Sequence, residues 1–240
     1  MKRFWLFSAA SFVCAAAFLV PNTAHAESPI TGISELRFGG YYPAIDDEEG
    51  LEGQPFADTF GEGHRLLFSF ETGRHLIQGY GALGVSVRVG YTSFDGEAII
   101  EGAGDDSDID ESTDFQILPL SASVYYRLDI AEKRWSIPLV PVVKGGLDYV
   151  PWWSNAGDGD TATFEGDDAS GGKAGWHLAA GLHLHLDWLE PGSSAKFDAM
   201  WGVNNTYAFA EYMMLQADDF GGEGFDLSDD MWTFGLAFEF

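Results

Sequence analysis

The chain has 240 residues, with 38 Asp and Glu against 12 Lys and Arg, for a formal net charge of −26. Such an acidic chain repels a phosphate backbone, which excludes a nucleic-acid binder, and 46% hydrophobic with 15% aromatic residues is too much apolar material for a disordered acidic protein. No run of about 18 or more apolar residues follows residue 26, so a helical membrane protein is also excluded.

The N-terminus reads as a secretory signal peptide over residues 1–26. Lys2 and Arg3 supply the positive start, Phe4 to Val20 the apolar run, and Pro21 breaks it. Ala24-His25-Ala26 then gives a small-x-small cleavage site before Glu27. The only cysteine, Cys14, lies inside this segment, and its neighbours Ser11-Phe12-Val13 do not resemble a lipid-attachment site. The mature chain, 27–240, therefore has neither disulfide nor thiolate chemistry.

Eight strands are predicted in the mature chain by period-2 alternation. The first, 33–42, sets Glu35, Arg37 and Gly39 against Leu36, Phe38 and Gly40. A long loop, 43–64, leads to 65–72, where Leu66, Phe68 and Phe70 oppose Arg65, Ser69 and Glu71. The third strand, 80–92, places Leu83, Val85, Val87, Val89 and Tyr91 opposite Ser86, Arg88 and Gly90. After a second long loop, 93–114, the fourth strand, 115–128, opposes Leu118, Leu120, Ala122, Val124 and Tyr126 to Ser121, Ser123, Tyr125 and Arg127.

The fifth, 137–150, has Leu139, Val143, Leu147 and Tyr149 across from Lys144 and Asp148, with Pro138 and Pro141 near its start. A Gly-rich loop, 151–174, precedes 175–186, the cleanest strand. There Trp176, Leu178, Ala180, Leu182, Leu184 and Leu186 alternate with His177, Gly181, His183 and His185. The seventh, 204–216, is bulky on both faces. The eighth, 231–240, sets Trp232, Phe234, Leu236, Phe238 and Phe240 against small or polar neighbours. Its residues Thr233, Gly235, Phe238 and Phe240 match the C-terminal insertion signal of bacterial outer-membrane barrels.

Three patterns point to a transmembrane barrel. Loops 43–64, 93–114, 151–174 and 217–230 alternate with mostly shorter links and hold 27 of the 38 acidic residues, with Lys173 their only Lys or Arg. Long loops on one side and short turns on the other are the outer-membrane arrangement. Trp135, Trp188 and Trp201 fall at the short-turn end and Trp152, Trp153, Trp176 and Trp232 at the long-loop end, as two aromatic girdles require. Finally, Arg37, Arg65, Arg88, Arg127 and Lys144 share the polar face with Glu35, Glu71, Asp148, Glu211 and Glu239, which predicts a lumen of mutually satisfied ion pairs.

The expected fold is thus all-β: an eight-stranded antiparallel up-and-down barrel in the bacterial outer membrane, after a cleaved signal peptide. Eight strands enclose an interior that side chains roughly fill.

Sites for chemistry are sparse. His183 and His185, next-but-one neighbours on one face with His177, form a spacing that can chelate zinc or copper, with Glu211 or Asp148 as a further ligand. Lumen histidines hydrogen-bonded to carboxylates are the simpler expectation. A hydrolase on the barrel wall would need a Ser–His–acid grouping, and the histidine strand contains no serine. Asp106, Asp108 and Asp110 have the opening spacing of a calcium loop, but Glu111 stands where that loop needs Gly and Ile117 where it needs Glu. A merely solvated acidic loop is the simpler expectation, with weak calcium binding by the clustered carboxylates beside it, so no catalytic residue, cofactor or confident metal ligand is expected.

Three blocks stand out, Arg37-Phe-Gly-Gly-Tyr-Tyr-Pro43, Pro55-Phe-Ala-Asp-Thr-Phe-Gly61 and Ile137-Pro-Leu-Val-Pro-Val-Val-Lys-Gly-Gly-Leu-Asp-Tyr149, joined by Gly175-Trp-His177, Asn205-Thr-Tyr-Ala-Phe-Ala-Glu-Tyr212 and the terminal strand. In these blocks the chain resembles a family of small outer-membrane β-barrel proteins of myxobacteria and relatives. The resemblance implies a fold and a location, and no activity; a looser likeness to the OmpX and OmpW types is one of architecture. The leading expectation is a non-enzymatic structural or surface-interaction barrel. Its partners would be outer-membrane lipid and, through the terminal strand, the barrel assembly machinery. A narrow passive channel or conduit for small apolar solutes is the alternative, and a lipid-acting hydrolase the third.

Overall fold

The computed structural model describes residues 29–48, 51, 53–97, 112–156, 161–164, 167–187, 200–222 and 224–240. The signal-peptide segment with Cys14, the Asp106, Asp108 and Asp110 cluster, and Trp188 lie outside them. Eight staves are formed: β1 (Gly32–Tyr41), β2 (Arg65–Gln78), β3 (Ala82–Glu97), β4 (Ser112–Ile117 continued by Leu120–Arg127), β5 (Leu139–Ala156), β6 (Ser170–His185), β7 (Asn205–Gln216) and β8 (Asp229–Glu239). Each pairs antiparallel with its sequence neighbour, and β8 returns to β1 in register from Ile33↔Glu239 to Gly39↔Thr233. The sheet is a closed barrel with no free edge.

Polarity runs the opposite way from a soluble barrel. Leu36, Phe38, Phe68, Val87, Val143, Leu147, Leu182 and Phe234 stand exposed on the outer face, while Glu35, Arg37, Glu71, Arg88, Lys144, Asp148 and Glu211 are buried inside. In water an apolar belt of that extent would collapse onto itself or a partner; in hydrocarbon it is the favoured surface, and closure satisfies every ladder group. Among the described residues no helix is long and apolar enough to cross a membrane, so the crossing is made by strands.

The expected strand number, order and facing hold, and the bounds differ. Stave β2 runs to Gln78 rather than 72: pairing with β3 continues in regular register through Gly73 to His75, and a bulge between His75 and Ile77 lets it go on to Gln78. The bottom link shrinks accordingly to 79–81. Staves β3, β5 and β6 extend beyond the expected 92, 150 and 175 to Glu97, Ala156 and Ser170. Acidic, Gly-containing sequence reads as loop, yet here it is zipped into ladders such as Trp152↔Gly171. At 16 to 18 residues these staves exceed the roughly 9–11 that a bilayer needs, so they stand as a wall above it. Stave β4 is interrupted at Leu118-Pro119, since proline cannot donate to a ladder; Pro119 still accepts from Gly90 N–H at 2.8 Å.

Two loop elements close the ends. Above the barrel, a 3-10 turn (Ala44–Asp47) precedes helix α1 (Pro55–Phe60). The Asp46 carboxylate accepts the N–H groups of Phe56 and Ala57, both at 2.8 Å, and so caps the helix from a distance. Below it, the link expected at 129–136 contains helix α2 (Ile130–Trp135), ended by Ser136 in the left-handed region at φ 53°.

Candidate functional site in the barrel lumen

The lumen is filled in layers. The uppermost is apolar: Phe56 of α1 reaches inward and packs edge-on to Phe94 and Phe115, with ring centroids 5.1 and 5.6 Å away. Tyr41, Leu67, Ile117, Val150, Met213, Leu215 and Leu227 complete this layer. Tyr41 also donates its hydroxyl to the Leu227 carbonyl at 2.7 Å, which ties the first stave to the last long loop.

The middle layer holds the charges. Directly opposed residues Glu35↔Glu71↔Arg88↔Ser121↔Asp148 form one row across five staves. Lys144 meets Glu35 at 2.7 Å, Glu71 at 3.2 Å and Glu211 at 3.5 Å. Arg37 engages the same three carboxylates, Glu35 at 3.0 Å, Glu71 at 3.4 Å and Glu211 in close contact, and its guanidinium lies 4.9 Å over the Phe209 ring. Ser86 donates to Glu71 at 2.7 Å.

Stave β7 resolves its ambiguity here. Tyr207, Phe209, Glu211, Met213 and Leu215 point inward and Ala208, Ala210, Tyr212 and Met214 outward. Room for the bulky inner row comes from small inward residues on both neighbours. A Cβ at Gly181 would run into the Glu211 side chain, and one at Gly235 would meet the Phe209 ring at 2.7 Å. Gly235 therefore serves lumen packing as well as matching the insertion signal, whose Thr233 is likewise buried.

His183 is held as a neutral ring of one tautomer. Arg127 can only donate, so His183 Nδ1 must accept from it at 3.2 Å, leaving Nε2–H to face Glu211 at 3.2 Å. Glu35, His183 and Glu211 could each offer a ligand atom within 4.8 Å of the others. The lone pair of His183 is spent on Arg127, however, and Arg37 and Lys144 already neutralise both carboxylates, so this grouping does not suit a metal. Nor do His183 and His185 act as a pair. His185 lies at the lower mouth, with Nδ1 2.7 Å from Glu132 and Nε2 3.2 Å from Asp187.

One arrangement was not legible in the sequence. Asp148 accepts from His177 Nδ1 at 2.6 Å, and His177 Nε2 lies 3.1 Å from Ser123 Oγ. The relay order is that of a serine hydrolase, but two parts of the template are missing here. Ser123 sits between ladder partners Ser86 and Gly146, where backbone amides serve the sheet rather than an oxyanion. Neither cavity found at the barrel's two ends is lined by Ser123, and all three side chains are buried. The Asp148 carboxylate is also shared with Ser121 and, at 3.3 Å, with Arg88. Ser123, His177 and Asp148 thus form a buried hydrogen-bond chain.

Two expected placements need correction. Among the described residues Arg65 joins no ion pair of the lattice: at the top of β2 it bonds the Phe60 carbonyl at 3.1 Å and lies 5.9 Å over the Phe94 ring. Trp152 turns inward against Phe115 and Phe225, at 5.5 and 5.1 Å, rather than out to a girdle. The change in facing follows from the extension of β5, in which Val150 and Trp152 continue the inner row. Trp135, Trp201 and Trp232 are exposed as an interface girdle requires, and Trp153 and Trp176 are half-buried near the loop end. At that end an open cleft of about 590 Å³ is bordered by Tyr42, Asp46, Asp47, Glu62, His64 and Asp230. Burial, and then Asp46, Glu62 and Asp47, push the Tyr42 hydroxyl above its usual pKa.

No protein-family model matches the sequence, and no curated protein matches it. Among solved structures it is similar to the N-terminal β-barrel domain of Pseudomonas aeruginosa OprF (14% identity, TM-score 0.40, covering 87% of this chain and 97% of that one). It is also similar to the Yersinia pestis attachment invasion locus protein Ail in complex with the heparin analogue sucrose octasulfate (15%, 0.43, 87% and 99%) and to Neisserial surface protein A (12%, 0.44, 89% and 98%). At these values the likeness carries no argument about activity or ligand. The chain's own ladders, outer apolar belt and buried charges make it an eight-stranded outer-membrane barrel.

Proposed function

We propose that the protein is a non-enzymatic outer-membrane barrel with a structural and surface-interaction role. In this reading its lumen is sealed by side chains, and its acidic loops, outside the cell, meet ions and other surfaces. The observation that carries it is the layered filling: Phe56 and its aromatic partners lie above a lattice in which Arg37 and Lys144 share Glu35, Glu71 and Glu211. Paired charges leave no polar gap for a hydrated ion, and the apolar layer offers it nothing to replace its water. The acidic loops would attract calcium weakly and without a shaped site, because clustered carboxylates repel one another until a counter-ion arrives. Outer-membrane lipid and the barrel assembly machinery, through Thr233, Gly235, Phe238 and Phe240, are the partners this reading implies. Membership of the myxobacterial barrel family belongs to the same proposal. The test is single-channel recording of the refolded mature protein in a planar bilayer, with and without millimolar calcium. A folded barrel that stays silent is expected, and reproducible conductance steps would replace this reading with the passive channel.

A further inference from the structure

The charges left outside the lumen are sorted by end. Among the described residues the exposed Lys and Arg side chains are Arg74, Lys133 and Arg134, all at the lower end of the barrel, away from the acidic loops. Lys133 is paired with Asp129 at 2.7 Å. Arg74 and Arg134 form no ion pair with any described residue. Arg74 stands on the outer face of β2, in the row of Phe68, Phe70 and Thr72, across the ladder from exposed Val85 and above exposed Leu76. An unpaired arginine on the lipid side of a stave is costly in hydrocarbon, and its long stem lets the guanidinium reach the headgroups instead. The protein supplies no carboxylate there, so the counter-charge has to come from the membrane.

Arg134 occupies the last turn of α2 and lies 5.8 Å over the ring of Tyr80, which belongs to the turn between β2 and β3. Tyr80 and Trp135 are both exposed. Such rings collect at headgroup level, and a guanidinium binds phosphate through paired N–H donors. We infer that this lower rim, on the β2–β5 side of the barrel, is a docking surface for an anionic phospholipid of the inner leaflet, with Arg74 and Arg134 holding phosphate and Tyr80 and Trp135 flanking the headgroup.

The rim also discriminates between headgroups. A zwitterionic lipid would need an acceptor for its ammonium, and the described carboxylates of this end turn to the lumen mouth. Glu239 meets His75 at 3.4 Å and Arg127 at 3.5 Å, and Glu132 and Asp187 lie 2.7 and 3.2 Å from the two nitrogens of His185. A headgroup with phosphate and no amine, as in phosphatidylglycerol, is the complement. A chain of net charge −26 repels anionic lipid in general, so a preference for it has to come from a local cationic surface. The inference rests on the membrane placement in the proposed role and narrows its lipid partner. It needs no sealed lumen, so conductance steps would leave it standing.

The test is native mass spectrometry of the refolded mature barrel, released from detergent after incubation with equal amounts of phosphatidylglycerol and phosphatidylcholine of the same acyl chains. Preferential retention of phosphatidylglycerol is expected. Arg74→Gln and Arg134→Gln should each lower that preference about fivefold, the effect of one cation near an anionic surface, and the double variant should abolish it. Arg65→Gln removes the same charge from the upper end and should leave the preference unchanged. Equal retention of the two lipids by the unaltered protein overturns the inference without recourse to any variant. So does a preference that survives the double variant, or one that Arg65→Gln removes.

Discussion

The middle layer makes a quantitative prediction for Lys144→Met. Methionine keeps most of the aliphatic volume, so the change tests charge rather than packing. Lys144 and Arg37 together face the three carboxylates of Glu35, Glu71 and Glu211, with Arg88 directly opposite Glu71; without Lys144 the cluster gains one further uncompensated negative charge in a buried interior. Breaking a buried pair by removing one partner costs about 3–5 kcal/mol, chiefly through the charge left behind. At a urea slope of about 2 kcal/mol per molar, the unfolding midpoint should fall by about 1.5–2.5 M. The assay is reversible urea unfolding in lipid vesicles, followed by tryptophan fluorescence. Adding Glu35→Gln removes one stranded charge and should restore about 0.5–3 kcal/mol, a coupling of the size contacting residues show. An unchanged midpoint in the single variant, or a further fall in the double one, would refute the charge account of the lattice.

Two other outcomes follow from facing and from burial. Leu182 is 51% exposed on the outer surface, between Pro141 and Ala210; Leu182→Arg should therefore cost about 2–4 kcal/mol in lipid, and a midpoint equal to wild type would remove the face assignment. Ser123, buried and without oxyanion donors, should not be labelled by a fluorophosphonate at native pH, whereas labelling that His177→Ala abolishes would revive the hydrolase reading.

Which parts were legible follows from what each signal measures. Lipid contact imposes apolar residues at every second position along a whole stave, so Leu83 to Tyr91 or Trp176 to Leu186 announce themselves one strand at a time. The lumen imposes no such uniformity. Phe115, Ile117, Tyr207 and Phe209 turn inward and look, in one dimension, like membrane-facing residues, which is why the apolar upper layer and the facing of β7 were hidden. Contacts across staves depend on register. Asp148, His177 and Ser123 come from β5, β6 and β4, and only the offsets Ser123↔Gly146 and Gly146↔His177 bring them together. Charge balance among named residues was recoverable, apart from Arg65, because inward facing could be read. Partnership was not. His75 was lost for a different reason: it follows Gly73 in sequence that reads as a turn, although Thr72-Gly-Arg-His75 keeps strict alternation up to the bulge. Asp129, the residue before α2, gave one usable sign, its i, i+4 spacing to Lys133, which matches their ion pair.

That buried lattice raises the question of what it contributes, since desolvation roughly cancels the attraction within a buried ion pair. Register is the answer the geometry favours. Sliding one stave by a single residue exchanges its faces, so a slip in β1, β3 or β5 would turn Arg37, Arg88 or Lys144 toward hydrocarbon. Each such cation near the bilayer midplane costs about 2–4 kcal/mol, while Phe38, Val87 or Val143 would have to enter the charged layer. We therefore hypothesise that the lattice penalises wrong pairings more than it stabilises the right one. Replacing the five clustered charges together, with Glu35→Gln, Glu71→Gln, Glu211→Gln, Arg37→Met and Lys144→Met, separates the two effects. The unfolding midpoint should move little, because no charge is left stranded. The yield of correctly refolded barrel should drop, and cross-linking of cysteine pairs placed at Phe38↔Phe234 and Phe38↔Phe68 should reveal shifted partners. Full yield with native pairing would show that the outer apolar belt sets register alone.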